Sequence, residues 1–210
     1  MTRIFIPILL ALGFMAVSLP AHASKSAEAY VEQNANEVLA TLNSPSLSAE
    51  ERTRKFSEYM DQFADFNAIS NFVIGKYARR FTADELARYR RVFRTYALAV
   101  YENQLDAYRG EAVVVQGSVD RSPTESIVNT TIRRRDGRDM NVRWRVQANG
   151  DRYQVIDVAL NIEGSLIWLA IEQRAQFIAL LDRTNGSADE LIGLIERMTA
   201  DLRNPPPARR

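Results

Sequence analysis

Few residues of this chain could carry covalent chemistry. The sequence has one histidine, His22, and no cysteine, so thiol nucleophiles, redox pairs and Cys/His zinc sites are excluded. His22 itself lies in Ala21-His22-Ala23, a small-x-small cleavage site that follows the apolar run Ile4 to Leu19 and the lone base Arg3. That pattern is a secretory signal peptide over 1–23, cleaved after Ala23, and its removal would take any Ser-His-Asp triad with it. Carboxylates remain, but they are scattered. Asp61, Asp65, Asp84 and Glu85 fit helix caps and first turns, and no spacing pairs two carboxylates as acid and base. Asp157 and Glu163 are left as candidates for an enzyme that uses a single carboxylate as its base. No glycine-rich phosphate loop is present.

The other ionic candidates are arginines. Arg174 falls inside an otherwise apolar helical arc. Such an arginine either pairs with a carboxylate, here Asp157 or Glu163, or stands at a pocket mouth where its paired N–H donors meet an anionic headgroup. The corner of Lys76, Arg79 and Arg80, followed by Arg88, Arg90 and Arg91, is either a solvated face or a headgroup and docking surface. Arg133-Arg134-Arg135 sits at a strand end beside a turn, a surface hairpin first and a contact for anionic lipid second. The chain has 27 basic and 26 acidic residues, and the leader holds one base and no acid, so the exported chain is formally neutral. A general nucleic-acid binder would need a basic excess.

The elements that must position these residues follow from periodicity. An amphipathic helix is expected from Ser24 to about Leu42, and a second from Ser48, where Ser48-Ala49-Glu50-Glu51 forms a capping box. An apolar helix from about Asn67 to Tyr77 comes next. Thr82-Ala83-Asp84-Glu85 then caps a long helix that runs to Gly110, a rod of about 40 Å able to lie across a whole small sheet. From Glu111 the pattern switches to period two. Val113, Val115 and Val119, then Ile127 to Ile132, Met140 to Val146 and Tyr153 to Ile162 make four antiparallel strands, with hairpin turns at Asp136-Gly137 and Asn149-Gly150. A helix from Leu166 to Leu181 and another from Ser187 to Leu202 close a single domain over 24–203, and Asn204-Pro205-Pro206-Pro207 opens a tail over 204–210 expected to be disordered.

Aromatic residues crowd the third and long helices. They are either ordinary core or the lining of a pocket between helices and sheet. A third possibility, a structural adaptor, would instead show a filled core and an exposed apolar patch.

These landmarks, taken in order, resemble the MlaC, or toluene-tolerance, family of periplasmic lipid-carrier proteins. The motifs are Asp65-Phe66, Val73-Ile74-Gly75-Lys76-Tyr77, Arg79-Arg80, Thr82 to Phe93, Tyr108-Arg-Gly-Glu111, Val155-Ile-Asp157-Val158, Ile162-Glu163-Gly164-Ser165-Leu166 and Gln173-Arg174-Ala175-Gln176-Phe177. The spacing departs from the family pattern by about two extra residues around Ile167-Trp168. The resemblance implies an α+β fold with helices packed on a highly curved antiparallel sheet of about four strands, enclosing an apolar cavity. It implies a non-enzymatic carrier with no cofactor and no metal. The carrier would hold the acyl chains of a phospholipid and shuttle it between an inner-membrane MCE-protein/ABC transporter complex and an outer-membrane lipoprotein complex. A branch associated with hopanoid pathways makes a hopanoid or another membrane lipid the alternative cargo.

Two acyl chains of about 30 methylenes would cost on the order of 24 kcal/mol to expose to water, at roughly 0.8 kcal/mol each. A carrier therefore needs walls about as apolar as a bilayer. On this reading Phe66, Ile69, Phe72 and Val73 supply them from the third helix, and Phe93, Tyr96 and Val100 from the long one. Val142, Trp144, Val158 and Leu160 supply them from the strands, and Ile167 and Ile171 from the segment after Gly164. Arg79, Arg80 and Arg174 are the headgroup or docking candidates.

Overall fold

The computed structural model describes residues 22–102, 112–134, 137–162 and 164–204. The leader before His22, the tail beyond Asn204, the far end of the long helix with Leu105, Tyr108 and Gly110, and also Asp136 and Glu163, lie outside the described residues. Six α-helices and a five-stranded antiparallel sheet are present among those described: α1 (His22–Asn43), α2 (Ala49–Phe63), α3 (Phe66–Ile74), α4 (Ala83–Glu102), β1 (Ala112–Ser122), β2 (Glu125–Arg133), β3 (Met140–Asn149), β4 (Arg152–Ile162), β5 (Ser165–Trp168), α5 (Leu169–Arg183) and α6 (Ala188–Arg203). The fold is α+β. Among the described residues no helix is long and apolar enough to cross a membrane.

Local chemistry sets the helix ends. Ser48 Oγ accepts from the Glu51 N–H while Glu51 Oε2 accepts from the Ser48 N–H, and Thr82 and Glu85 repeat the exchange at the start of α4. Asp65 caps α3 by accepting from the Ala68 N–H at 2.8 Å. Gly75, at φ +53°, ends α3 in a conformation that favours glycine, and a 3-10 helix, Gly75–Arg79, turns the corner.

The strands run in a meander, β1-β2-β3-β4-β5. The sheet is neither closed nor strongly curled among the described residues, and it has a fifth strand where four were expected. Residues 165–168, expected to begin a helix, form β5 instead, with Leu160 opposite Ile167 and Ala159 opposite Trp168. Ile167 and Trp168, around which extra residues were expected, thus lie in this edge strand. In β4 the register slips against β3 between Arg145 and Val146. The extra residue, Ile156, lets Val155 and Val158 both reach the core under α1 and turns Asp157 toward the start of α5.

The interior divides into separate clusters. Val31, Ala35 and Leu39 of α1 pack with Phe63 against Val128, Val142, Val146 and Val158 of the sheet. A second, helical core joins Val73 and Ile74 of α3, Tyr89 and Phe93 of α4, Phe177 and Leu181 of α5, and Leu191, Ile192 and Ile195 of α6. The described part of the long helix, α4, therefore packs mainly in the helical core. Its aromatic residues Tyr89, Phe93 and Tyr96 pack with Phe177 and Leu181 of α5 and Leu191, Ile192 and Ile195 of α6.

Candidate functional site

Two apolar clefts flank β4. The first lies between α1, α2 and the sheet, with a volume of about 90 Å³. Val38, Leu39, Phe56, Met60 and Phe63 line it from the helices, and Val113, Ile132, Met140, Val142, Trp144, Val158 and Leu160 from the sheet, with Ala35 opening room between them. Every one of these residues is apolar apart from the indole N–H of Trp144. That N–H donates to Thr130 Oγ1 at 2.8 Å, so it presents nothing unsatisfied to the cleft. Tyr30, Phe63 and Trp144 form a run of rings with centroids 5.4 and 5.5 Å apart. The Tyr30 hydroxyl donates to the Phe63 carbonyl at 3.0 Å, and burial pushes its pKa up to about 12.

The second cleft, about 260 Å³, opens where β5 no longer covers β4, between α3, α4 and α5. Phe66, Ile69, Phe93, Tyr96, Ala97 and Val100 form its helical wall, with Val155, Val158, Leu169 and Ala170 opposite. Met60 and Val158 line both clefts and form the partition between them.

The sequence-derived candidates are thus distributed over two spaces. Val142, Trp144 and Leu160 line the first cleft, Phe66, Ile69, Phe93, Tyr96 and Val100 the second, and Val158 both. Val73 is fully buried in the helical core. Phe72 and Ile171 are exposed, and Ile167 is half-buried on β5. Val38, Phe56, Met60 and Phe63 of the first two helices were not among the candidates. Ala35, Leu39 and Thr130 were not singled out. A small residue at 35 on the stripe of α1 was the available signal for open space, whereas nothing in the sequence marks Thr130 as the partner of an indole.

The arginine candidates have local duties. Arg174 does not pair with Asp157. Its guanidinium donates to the Phe72 carbonyl at the end of α3 and lies 5.0 Å over the Phe72 ring. It passes so close to Gly75 that a Cβ there would fall 2.6 Å from it. Arg80 stands 4.9 Å over the Tyr77 ring, and Arg79 is exposed at the end of the 3-10 helix. Lys76 and the Tyr77 hydroxyl both reach Asp182, at 2.9 and 2.7 Å, and together hold that carboxyl below its usual range. The basic corner is stapled to α5.

The polar feature of the second cleft is Asp157. Its Oδ1 accepts from the Val158 and Ala170 N–H groups at 2.8 and 2.9 Å, so a strand residue caps α5, whose own N-cap, Trp168, supplies no side-chain bond. Burial pushes the carboxyl pKa up against these donors and against Arg145, as a carboxylate-base enzyme would require. Glu172, Gln173 and Gln176 of α5 line the same cleft, and Arg145 is held by Glu125 at 2.8 and 2.9 Å. Among the described residues no group of three or more histidine or carboxylate side chains could hold a metal.

Comparison with known proteins extends this picture. Among solved structures, the chain is similar to a phospholipid-binding protein from Ralstonia solanacearum, determined in complex with a phospholipid. The identity is 22% and the TM-score 0.71, over 85% of this chain and 99% of that one, which makes the likeness one of fold. No curated protein sequence matches the chain. The MlaC protein family profile matches residues 32–197, from α1 into α6. The chain belongs to the MlaC family.

Proposed function

We propose that this protein is a soluble periplasmic carrier that binds the acyl chains of a phospholipid between its helices and sheet. It would shuttle the lipid between an inner-membrane MCE-protein/ABC transporter complex and an outer-membrane lipoprotein complex. The observation that carries the reading is the first cleft, lined throughout by apolar side chains with its one indole N–H already bonded. Walls of that kind make transfer from a bilayer nearly isoenergetic, so that a partner can set its direction. Family membership and a phospholipid-bound neighbour of the same fold support it. Asp157, with Oδ1 committed to capping α5, fits a structural and binding role better than that of a base, and the family is one of lipid carriers, not enzymes. The exported single domain, 24–203, would work without cofactor or nucleic acid.

The test is native mass spectrometry of the protein purified from its own periplasm, with the bound material extracted and identified. A stoichiometric phospholipid is expected, and a hopanoid in its place would change the cargo but keep the carrier. A clean ligand-free mass, unchanged after incubation with vesicles, would sink the proposal.

A further inference from the structure

Two buried polar atoms in the second cleft have no partner among the described residues: Asp157 Oδ2 and Gln173 Nε2. Asp157 is 3% exposed, and polar groups so deep are nearly always bonded. The two are held in place by independent bonds. Asp157 Oδ1 is fixed to the Ala170 N–H, and Gln173 lies three residues further along α5, on the same face. The Tyr96 hydroxyl donates to Gln173 Oε1 at 2.8 Å, which directs Nε2 away from Tyr96. The phenol stays protonated because burial raises its pKa.

One unpaired atom accepts and the other donates, and they do not reach each other. A phosphate would face a carboxylate here, and a quaternary ammonium would offer no hydrogen to Oδ2 and nothing for Nε2 to donate to. A neutral hydroxyl carries both complements, an O–H to donate to a carboxylate such as Asp157 Oδ2 and an oxygen to accept from an amide such as Gln173 Nε2. We propose that the second cleft is a binding site for the hydroxyl of an uncharged lipid alcohol, which enters hydroxyl-first with its apolar body against Ile69, Phe93 and Val100. The inference rests on the reading of the protein as a lipid binder and adds to it a second class of ligand, which would compete for the second cleft with a phospholipid that fills both.

The probes are 1-hexadecanol and its methyl ether, titrated into the purified protein. The ether keeps the acceptor and loses the donor. The wild type should bind the alcohol about 10-fold more tightly, the worth of one hydrogen bond to a carboxylate. Asp157→Asn retains the oxygen that caps α5 and replaces the free acceptor by an N–H donor, so the preference for the alcohol should vanish. Gln173→Leu leaves that cap alone and should weaken both probes while the preference persists. Equal binding of the two probes by the wild type, or no loss of either in Gln173→Leu, would show that the cleft holds only solvent and would overturn the proposal. Phospholipid uptake from phosphatidylcholine vesicles, measured on the same preparation, separates the two ideas. Failure of uptake counts against the carrier, whereas equal alcohol and ether binding by a protein that does take up phospholipid counts against the hydroxyl site alone.

Discussion

Asp157 shows how one side chain can serve the fold and still be under strain. One oxygen closes the N-terminus of α5, where the helix dipole favours an anion, while the other lies buried without a donor. Burial wins, and the folded-state pKa lies above the ordinary 3.8. The folded protein therefore holds this proton more tightly than the unfolded chain does. Its contribution to stability is present in full below 3.8 and is lost as pH rises through the raised folded value. Glu125 works the other way. Its bond with Arg145 holds its pKa below the ordinary 4.5, so its contribution is present above 4.5 and fades as pH falls through the lowered value. Urea unfolding of the wild type and Asp157→Asn across this acid range should show the variant gaining relative to the wild type as pH rises, then a constant difference. A difference independent of pH would mean that Asp157 titrates normally. The burial of Asp157 was hard to read from the sequence, because the strand around Val155-Ile-Asp157-Val158 is apolar on both faces and only the slip at Ile156 sets which way the carboxylate turns. The contact of Arg174 was hidden for a related reason. Its partner is a backbone carbonyl at a helix end, and carbonyls leave no mark in a sequence.

At the scale of elements, the way α1 is fixed across the sheet decides whether the first cleft exists. Asn36 bonds the backbone of Val113 on edge strand β1 twice, accepting from its N–H at 2.9 Å and donating to its carbonyl at 3.1 Å. These bonds cover an edge that would otherwise offer free backbone groups. Asn36→Ala should destabilise the protein by about 1–3 kcal/mol, through two half-buried backbone groups left unpaired. Hydrogen exchange at the Val113 amide should accelerate well beyond that at Val128, in the middle of the sheet. Equal acceleration at both sites would mean that the loss is global and that the pin is not local. Caps and period-two alternation made α2, the start of α4 and β1 to β4 legible, since each rests on contacts within a few residues or one pleat. The strand β5 was not legible. Ser165-Leu166-Ile167-Trp168 is a short apolar run next to a helix, and only its pairing with β4 distinguishes it from a first helical turn. The partner of α4 was equally hidden, because an apolar stripe states which face is buried and not what covers it.

The whole molecule places a sheet-and-helix core and an all-helical core on either side of a thin partition. The clefts at that partition, about 90 and 260 Å³, are smaller than the roughly 300–1,000 Å³ of ordinary ligand sites. A two-chain lipid needs the space of both, so Met60 or Val158 must give way. Val158 is β-branched and set in the sheet, which leaves it little rotamer freedom. Met60 is unbranched, with three rotatable bonds, and half-buried on α2. Met60 is therefore the movable member of the partition. Met60→Ile keeps the volume approximately and should change stability by less than about 1.5 kcal/mol, yet it should slow lipid uptake from phosphatidylcholine vesicles severalfold. Met60→Ala removes the partition and should speed uptake, with some loss of stability from the space it opens. Both rates can be followed as transfer of a fluorescent phospholipid out of quenched vesicles. If Met60→Ile takes up lipid at the wild-type rate, the two clefts do not join through α2, and each would have to accept its ligand alone.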